Sequence, residues 1–179
     1  MKHFAALYGL IVVFAFGARA QGVQGVFVPT SGEAHVGYTF MRFYALPSDT
    51  VNMNGFDASV AYYLHAKWFA PEGELTGVFG SQAGASSTLV LGMGGGRARW
   101  ATRSGTEFWI HGLAGGAHLT PQSAYGGEGA FAYEGGGGVD IGSRHQRIAY
   151  RLEGDIVGTR FFGVYQYSPK ISAGIVFKF

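Results

Sequence analysis

The sequence predicts an all-β protein, an eight-stranded antiparallel up-and-down transmembrane β-barrel. Three observations support this prediction: a composition rich in glycine and poor in charge, a period-two alternation of apolar and polar residues, and turn-forming residues between the alternating segments. The 179-residue chain has 31 glycines and 13% charged residues, whereas soluble domains average about 7% glycine and roughly 25% charge. The length suits one domain, and a hydrophobic fraction of 47% excludes a disordered chain.

Residues 1–20 have the form of a signal peptide. Lys2 provides a positive start, residues 4–16 form an uncharged apolar run, and residues 18–20 read Ala-Arg-Ala, the small-x-small pattern of a cleavage site. The run is shorter than the ~20 residues that a membrane-spanning helix requires; a retained amphipathic anchor is the alternative. The prediction divides the chain into a cleaved signal peptide at 1–20, an N-terminal periplasmic segment at 21–32 and a barrel domain at 33–179.

The composition of the exported chain excludes several partners and sites. Removing Lys2 and Arg19 with the signal peptide leaves eleven basic and eleven acidic residues. A net charge near zero gives no electrostatic reason to expect nucleic-acid binding. The chain contains no cysteine, which excludes a disulfide framework and a thiolate metal site.

The last two predicted strands show the clearest alternation. In the final one, Ile171, Ala173, Ile175, Phe177 and Phe179 share one face, and Ser172, Gly174, Val176 and Lys178 share the other. In the preceding one, Tyr150, Leu152 and Ile156 oppose Arg151, Glu153 and Asp155. Period two is the signature of a strand whose faces have different surroundings. Three charges on one side require water or one another, whereas the apolar side requires lipid or a protein core.

The same division continues upstream. The predicted inward-facing residues there are Asp57, Ser59, Ala61, Tyr63, Glu72, Glu74, Thr76, Ala130, Ala132, Glu134 and Asp140. The pattern does not decide which side chains of residues 87–118 face inward. If Glu107 and His111 face inward, Phe108 and Ile110 face outward.

Eight strands are predicted, at residues 33–44, 56–65, 68–79, 87–97, 106–118, 129–141, 147–161 and 170–179. Gly, Pro, Ser and Asp separate them, as turns require. An even number of antiparallel strands can close into a barrel, which removes the exposed edges that lipid does not tolerate. Eight strands enclose an interior just wide enough for side chains to fill, so a large aqueous pore is not expected.

Seven charged residues on the inferred inner face form the candidate site. They are Glu72, Glu74, Glu134, Asp140, Arg151, Glu153 and Asp155. Because buried charges are costly unless paired, we predict an internal salt-bridge network that plugs the barrel. A narrow path for ions or protons is the alternative. Acidic residues outnumber the inward bases, so some carboxylates need Lys178, water or protonation.

Aromatic, glycine and basic residues also have expected places in the barrel. We assign twelve aromatic residues to girdles at the membrane interfaces: Tyr38, Phe40, Tyr62, Phe69, Phe79, Trp109, Phe131, Tyr150, Phe161, Phe162, Phe177 and Phe179. Glycines inside strands permit tight curvature, and we expect valine at Gly136 or Gly138 to impair assembly. Six basic residues are assigned to short periplasmic turns near lipid phosphates: Lys67, Arg97, Arg99, Arg103, Arg144 and Arg147.

The closing residues, SAGIVFKF, resemble the C-terminal assembly signal of bacterial outer-membrane β-barrels, with Ile175, Phe177 and Phe179 at its alternating apolar positions. This resemblance implies recognition by the barrel-assembly machinery. Most of residues 33–179 resembles the small outer membrane protein β-barrel domain families, related in architecture to the OmpA and OmpX barrels. The likeness lies in HVGYTFMRF, NMNGFDASVAYYL and GGGVDI. It implies a monomer in the bacterial outer membrane, surrounded by outer-membrane lipids.

No sequence motif predicts a catalytic, cofactor or metal site. The glycine runs complete neither a P-loop nor a dinucleotide fingerprint in a strand-to-helix context, and HExxH is absent. His111 and Glu107 can share a face, but no serine lies near them in sequence to complete a nucleophilic set. We predict a non-enzymatic structural or surface-binding protein without a cofactor. The alternatives are a lipid-modifying outer-membrane enzyme, a narrow porin-like ion channel and a secreted lipocalin-like barrel, which would be apolar inside.

Overall fold

The computed structural model describes residues 31–46, 49–64, 68–82, 85–102, 105–121, 127–142 and 147–179. Within these residues, eight antiparallel strands form one closed barrel in which neighbours in sequence pair and the first strand pairs with the last. The strands are β1 (Gly32–Leu46), β2 (Asp49–Tyr62), β3 (Phe69–Gln82), β4 (Ala85–Ala101), β5 (Glu107–Pro121), β6 (Glu128–Ile141), β7 (Ile148–Thr159) and β8 (Gln166–Lys178). A 3-10 turn at Phe161–Gly163 connects β7 and β8. No helix in the described ranges is long and apolar enough to cross a membrane.

The barrel closes where β1 meets β8. Gly32 and Phe179 exchange backbone hydrogen bonds of 2.8 and 2.9 Å. The register then runs from Glu33 opposite Lys178 to Met41 opposite Lys170. Closure pairs the backbone N–H and C=O groups without water, which is the condition for crossing hydrocarbon. The predicted eight-stranded antiparallel up-and-down barrel is confirmed.

Several sequence predictions concern residues outside the described ranges. The signal peptide at 1–20 and its cleavage site are among them, as are Lys67, Arg103 and Arg144. Of the predicted periplasmic segment at 21–32, Ser31 and Gly32 are described, and Gly32 already begins β1.

Side chains alternate between the interior and the outer surface along each strand. On β7, Arg151 is 1% exposed and its neighbour Leu152 is 53% exposed. We term the part of the barrel nearer Gly32 and Phe179 the chain-end half, and the rest the far half. Large apolar side chains cover the outer surface of the chain-end half, including Val36, Tyr38, Val60, Tyr62, Leu75, Phe108, Ile110, Ile141, Leu152, Ile175 and Phe177. A soluble ligand-binding barrel has the opposite polarity.

The strands extend farther into the far half than the sequence predicted, except β7, which ends at Thr159 rather than at residue 161. β2 begins at Asp49 rather than at residue 56, and β8 begins at Gln166 rather than at residue 170. In the added part of β2, Asn52 and Asn54 face outward and Met53 faces inward, which reverses the polarity of the rest of the strand. A tilted strand of 14 residues stands roughly 35 Å tall. The apolar band of membrane barrels is ~25 Å tall, which is less than the height of this strand.

For residues 87–102 and 105–118, the structure shows which side chains face the interior. Leu89, Leu91 and Met93 face the interior from β4. On β5, His111 is buried, and Phe108 is exposed on the outer surface.

Two of the basic residues assigned to periplasmic turns lie inside the barrel, so that assignment is wrong for them. β4 continues to Ala101, which places Arg97 on its inner face with 0% exposure. Arg99 follows on the same inner face, with its side chain 12% exposed. Arg147 is exposed just before β7, as a turn position requires.

Two of the residues assigned to the aromatic girdles also face the interior. Trp109 is 2% exposed and Phe161 is fully buried. Trp109 lies opposite Gly138 in the β5–β6 register, and the missing glycine side chain leaves room for the indole ring. Phe161 lies in the 3-10 turn, where strand alternation does not apply. The girdle assignment is therefore wrong for both residues.

Candidate functional site

The interior of the barrel has two parts. The far half contains an apolar plug, which consists of Met41, Phe43, Val51, Met53, Val78, Leu89, Leu91, Met93, Leu113, Ala117, Leu119, Ala132, Val157 and Phe161. The chain-end half contains most of the buried charged residues, and Lys170 lies where the two parts meet, opposite Met41 in the β1–β8 register. A polar interior was predicted for the whole barrel, and that prediction is wrong for the far half. The outer surface of the far half mixes polar side chains, such as Asn52 and Asn54, with exposed apolar ones, such as Phe79 and Phe131.

The 3-10 turn contributes the last residue of the apolar plug. The ring of Phe161 meets Phe43 edge-on, with 6.0 Å between the ring centroids. The next residue, Phe162, has a backbone φ of 53° and is exposed. Its N–H donates a hydrogen bond of 3.0 Å to Glu128 Oε1. Of two consecutive phenylalanines, the turn buries only the first.

Two buried arginines bind carboxylates in the chain-end half. Arg97 donates to Glu33 Oε1 at 2.5 Å and forms a bidentate pair with Glu72. Arg151 donates to Asp140 Oδ1 at 2.7 Å and to Glu33 Oε1 at 3.0 Å. We term these five residues the arginine network. Charge-assisted and bidentate hydrogen bonds are the strong ones in proteins, so the network ties together β1, β3, β4, β6 and β7.

Trp109 packs against both guanidinium groups. The ring centroid lies 3.9 Å from Arg97 Cζ and 4.6 Å from Arg151 Cζ. The indole N–H also donates to Asp140 Oδ1 at 3.1 Å. The attraction of each cation to the ring face offsets part of the repulsion between the two arginines.

Further ion pairs lie at the rim of the chain-end half. Lys178 Nζ is 2.7 Å from Glu107 Oε1, so Lys178 pairs with a carboxylate outside the seven predicted site residues. Arg99 lies over the ring of Tyr63, with 3.4 Å between its Cζ and the ring centroid. Arg99 Nη1 is also 3.4 Å from Glu107 Oε2.

Lys170 is the centre of a second buried cluster. Its Nζ lies 2.6 Å from Glu74 Oε1 and Glu134 Oε1, 3.4 Å from Asp155 Oδ2 and 3.5 Å from Glu153 Oε1. We term these five residues the lysine network. Lys170 is not among the residues predicted from the sequence, although the alternation contains a signal for it. Lys170 precedes Ser172 by two positions, so both side chains lie on the same inward face of β8.

His111 connects the two networks. Its Nδ1 lies 3.2 Å from Glu72 Oε2 in the arginine network, and its Nε2 lies 3.1 Å from Asp155 Oδ1 in the lysine network. A protonated imidazole donates from both nitrogens and can satisfy both carboxylates at once.

The structure places all seven predicted site residues in the interior. Glu72, Asp140 and Arg151 belong to the arginine network. Glu74, Glu134, Glu153 and Asp155 belong to the lysine network. The predicted assembly signal lies elsewhere: Ile175, Phe177 and Phe179 are exposed on the outer surface, and the rings of the two phenylalanines stack with 6.4 Å between centroids.

Among the described residues, three groups bring possible metal ligands within 4.8 Å of one another, and all of their members are buried except the partly exposed Glu107. The groups are Glu74, His111, Glu134 and Glu153; His35, Asp57 and Glu153; and Glu33, Glu107 and Asp140. A nucleophilic set would instead need a histidine hydrogen-bonded to a hydroxyl group. Within the described residues, both nitrogens of His111 face carboxylates and neither nitrogen of His35 has a hydrogen-bond partner. Neither of these buried histidines therefore forms a hydrogen bond with a serine hydroxyl.

The closed barrel can be compared with solved structures. Neisserial surface protein A shares 9% sequence identity with a TM-score of 0.67, over 84% of this chain and 98% of that one. This chain has the fold of the small outer-membrane β-barrels. Ail of Yersinia pestis matches at 11% identity and a TM-score of 0.53, over 83% of this chain and 99% of that one.

The N-terminal β-barrel domain of Pseudomonas aeruginosa OprF matches at 12% identity and a TM-score of 0.50, over 83% of this chain and 98% of that one. These structures confirm the architectural resemblance that the sequence suggested. No protein-family model matches the sequence, and no curated protein matches it. The likeness is therefore one of fold.

Proposed function

We propose that the protein is a non-enzymatic integral protein of the bacterial outer membrane, with a barrel closed to ions and a structural or surface-binding role. The observation that carries the proposal is the filling of the lumen: the apolar plug occupies the far half, and the arginine network occupies the chain-end half. An ion inside the plug would lose its hydration shell without polar groups to replace it, and this transfer is very costly.

The outer surface supports the proposed location in a membrane. Val60, Leu75 and Ile171 are exposed on it, and lipid tails would cover them. During insertion, we propose that the segment containing Ile175 and Phe177 binds the barrel-assembly machinery. The proposed route begins with export by a signal peptide and ends with a monomer in the membrane.

The far end of the barrel offers a small aromatic surface for the binding role. Tyr165 and Tyr167 are exposed there. The ring of Tyr133 lies 6.3 Å from that of Tyr167, and Arg160 lies over Tyr165 at 5.2 Å. Tyrosine and arginine are enriched where proteins bind one another. We therefore propose that this surface is where a binding partner contacts the barrel.

Bilayer recordings of the purified, refolded chain test the closed lumen. Heat-modifiable migration on gels would first report a folded barrel. We then expect no discrete conductance steps above those of a protein-free bilayer, with an established porin as the positive control. Discrete steps from the folded protein would contradict the proposal and favour a narrow channel instead.

A further inference from the structure

We propose that His35, Asp57 and Glu153 form a binding site for a divalent transition-metal ion inside the barrel. The three side chains come from β1, β2 and β7, and one possible ligand atom from each lies within 4.8 Å of the others. The inference goes beyond the proposed function, because neither a closed lumen nor a structural role requires a metal.

The three side chains are buried and lack hydrogen bonds. The side chains of His35 and Asp57 are 0% exposed and that of Glu153 is 1% exposed. Within the described part of the chain, neither ring nitrogen of His35 and no carboxylate oxygen of Asp57 or Glu153 has a hydrogen-bond partner. The shortest ion-pair distance between His35 and Asp57 is 3.5 Å, from Nδ1 to Oδ2. Buried polar groups in native proteins are nearly always satisfied, so these atoms require a partner.

The other two groups of possible ligands already contain cations. Lys170 lies within 2.6 Å of Glu74 and Glu134 in the first group. In the group of Glu33, Glu107 and Asp140, each carboxylate contacts an arginine or lysine side chain. Built-in ammonium and guanidinium groups thus take the place of a metal at both.

In the group of His35, Asp57 and Glu153, the described residues place a cation beside Glu153 but no lysine or arginine within ion-pair distance of Asp57. Among the described residues, the cation near this group is Lys170, whose Nζ is 3.5 Å from Glu153 and closer to the three other carboxylates of the lysine network. When they are ionised, the carboxylates of Asp57 and Glu153 carry two negative charges, which one divalent ion would balance.

The backbone provides a space for the histidine ring. Gly37 and Gly174 lie opposite each other in the β1–β8 register. A Cβ atom at Gly37 would be 2.9 Å from both His35 Nε2 and Asp57 Oδ1, and one at Gly174 would be 2.6 Å from His35 Nε2. The ring therefore packs against two positions that cannot take a side chain without moving it. This packing holds the imidazole beside Asp57.

The donor set indicates the class of metal. Imidazole nitrogen suits Zn²⁺, Cu²⁺, Fe²⁺ and Ni²⁺, and carboxylate oxygen suits Mn²⁺ as well. One nitrogen and two oxygens with a further open position match the mixed ligand sets of Zn²⁺ sites. Co²⁺ takes similar ligands and has visible absorption bands, so it serves as the probe.

The test loads metal during folding, because the site has no exposed side chain. The chain is refolded into detergent with Co²⁺ or Zn²⁺, passed through a chelating column, and analysed for metal by mass spectrometry. We expect one ion per folded barrel, and for Co²⁺ a visible spectrum of nitrogen and oxygen ligation. Folded wild-type barrel that retains no metal overturns the proposal.

Three variants locate the site. Replacing a ligand should lower retained metal by more than the ~10-fold that loss of an outer-shell partner causes. We expect this loss in His35→Gln and in the isosteric Asp57→Asn, each shown to be folded by heat-modifiable migration. The control is His118→Gln, which changes a histidine on the outer surface of β5 and should retain metal like the wild type. Equal retention by wild type and folded His35→Gln also overturns the proposal.

Discussion

At the scale of single residues, Lys170 is a buried cation with several acidic partners. Its ammonium lies within 3.5 Å of four carboxylates that come from β3, β6 and β7, while the lysine itself lies on β8. Buried carboxylates that lose their counter-charge are strongly destabilising. One positive charge therefore offsets part of the negative charge on three other strands.

Replacing Lys170 with methionine tests this role. We expect Lys170→Met to lower the free energy of unfolding by ~3–5 kcal/mol, because it leaves buried carboxylates without their partner. Urea unfolding in lipid vesicles is the measurement.

The matched control is Lys178→Met, which removes one rim pair with Glu107 and should cost less. Adding Glu134→Gln to the Lys170→Met variant should restore part of the loss, since it removes one of the stranded charges. Equal effects of the two lysine changes would contradict a special role for Lys170.

At the scale of elements, glycines on β6 allow atoms of β5 and β7 to come close to the β6 backbone. A Cβ at Gly138 would be 2.6 Å from Trp109 Cζ2, and it would also collide with the backbone oxygen of Leu152. A Cβ at Gly136 would collide with Asp155 Oδ1 and with the oxygen of Gly154. Glycine within a strand often marks such a close approach. The aromatic ring over Gly138 is a device that also occurs in designed sheets.

Valine on the two faces of β6 separates close packing from general strand effects. We expect Gly138→Val to reduce the folded fraction and to destabilise any folded barrel by at least ~1–3 kcal/mol, the usual cost of overpacking. Gly135→Val is the control, because a Cβ at Gly135 meets nothing within 4 Å. Heat-modifiable migration gives the folded fraction. If both variants fold equally well, the glycines are not required for close approach.

At the scale of the whole molecule, the barrel changes polarity along its axis. The chain-end half is apolar outside and charged inside, as hydrocarbon surroundings require. The far half has an apolar plug inside, and its outer surface mixes polar residues such as Asn52, Asn54 and Ser81 with exposed Phe79 and Phe131. The interior therefore changes from charged to apolar along the axis, and the outer surface becomes partly polar.

An arginine scan along the outer face of β7 tests the position of the membrane. Leu152 lies in the middle of the strand and Ile148 at its chain-end start, and both are exposed. We expect Leu152→Arg to cost ~2–4 kcal/mol and Ile148→Arg ~0–1 kcal/mol, because the cost of a lipid-facing charge falls from the midplane to the interface. Unfolding in vesicles measures both. Equal small costs would place Leu152 outside hydrocarbon.

How much the sequence predicts depends on how local the signal is. The inward face of Arg151, Glu153 and Asp155 follows from alternation alone, because neighbouring residues in a strand must point to opposite sides. The inward position of Arg97 does not follow, since it depends on where β4 ends. The pairing of Arg97 with Glu33 depends on a residue 64 positions away.

The sequence by itself determined the strand period, the number of strands and the inside-out polarity of the chain-end half, because these depend on neighbouring residues and on the need to pair every strand edge. Only the tertiary structure decided the apolar plug, the partners of Lys170 and the group of His35, Asp57 and Glu153. The physical reason is that barrel register brings together side chains from strands far apart in the sequence.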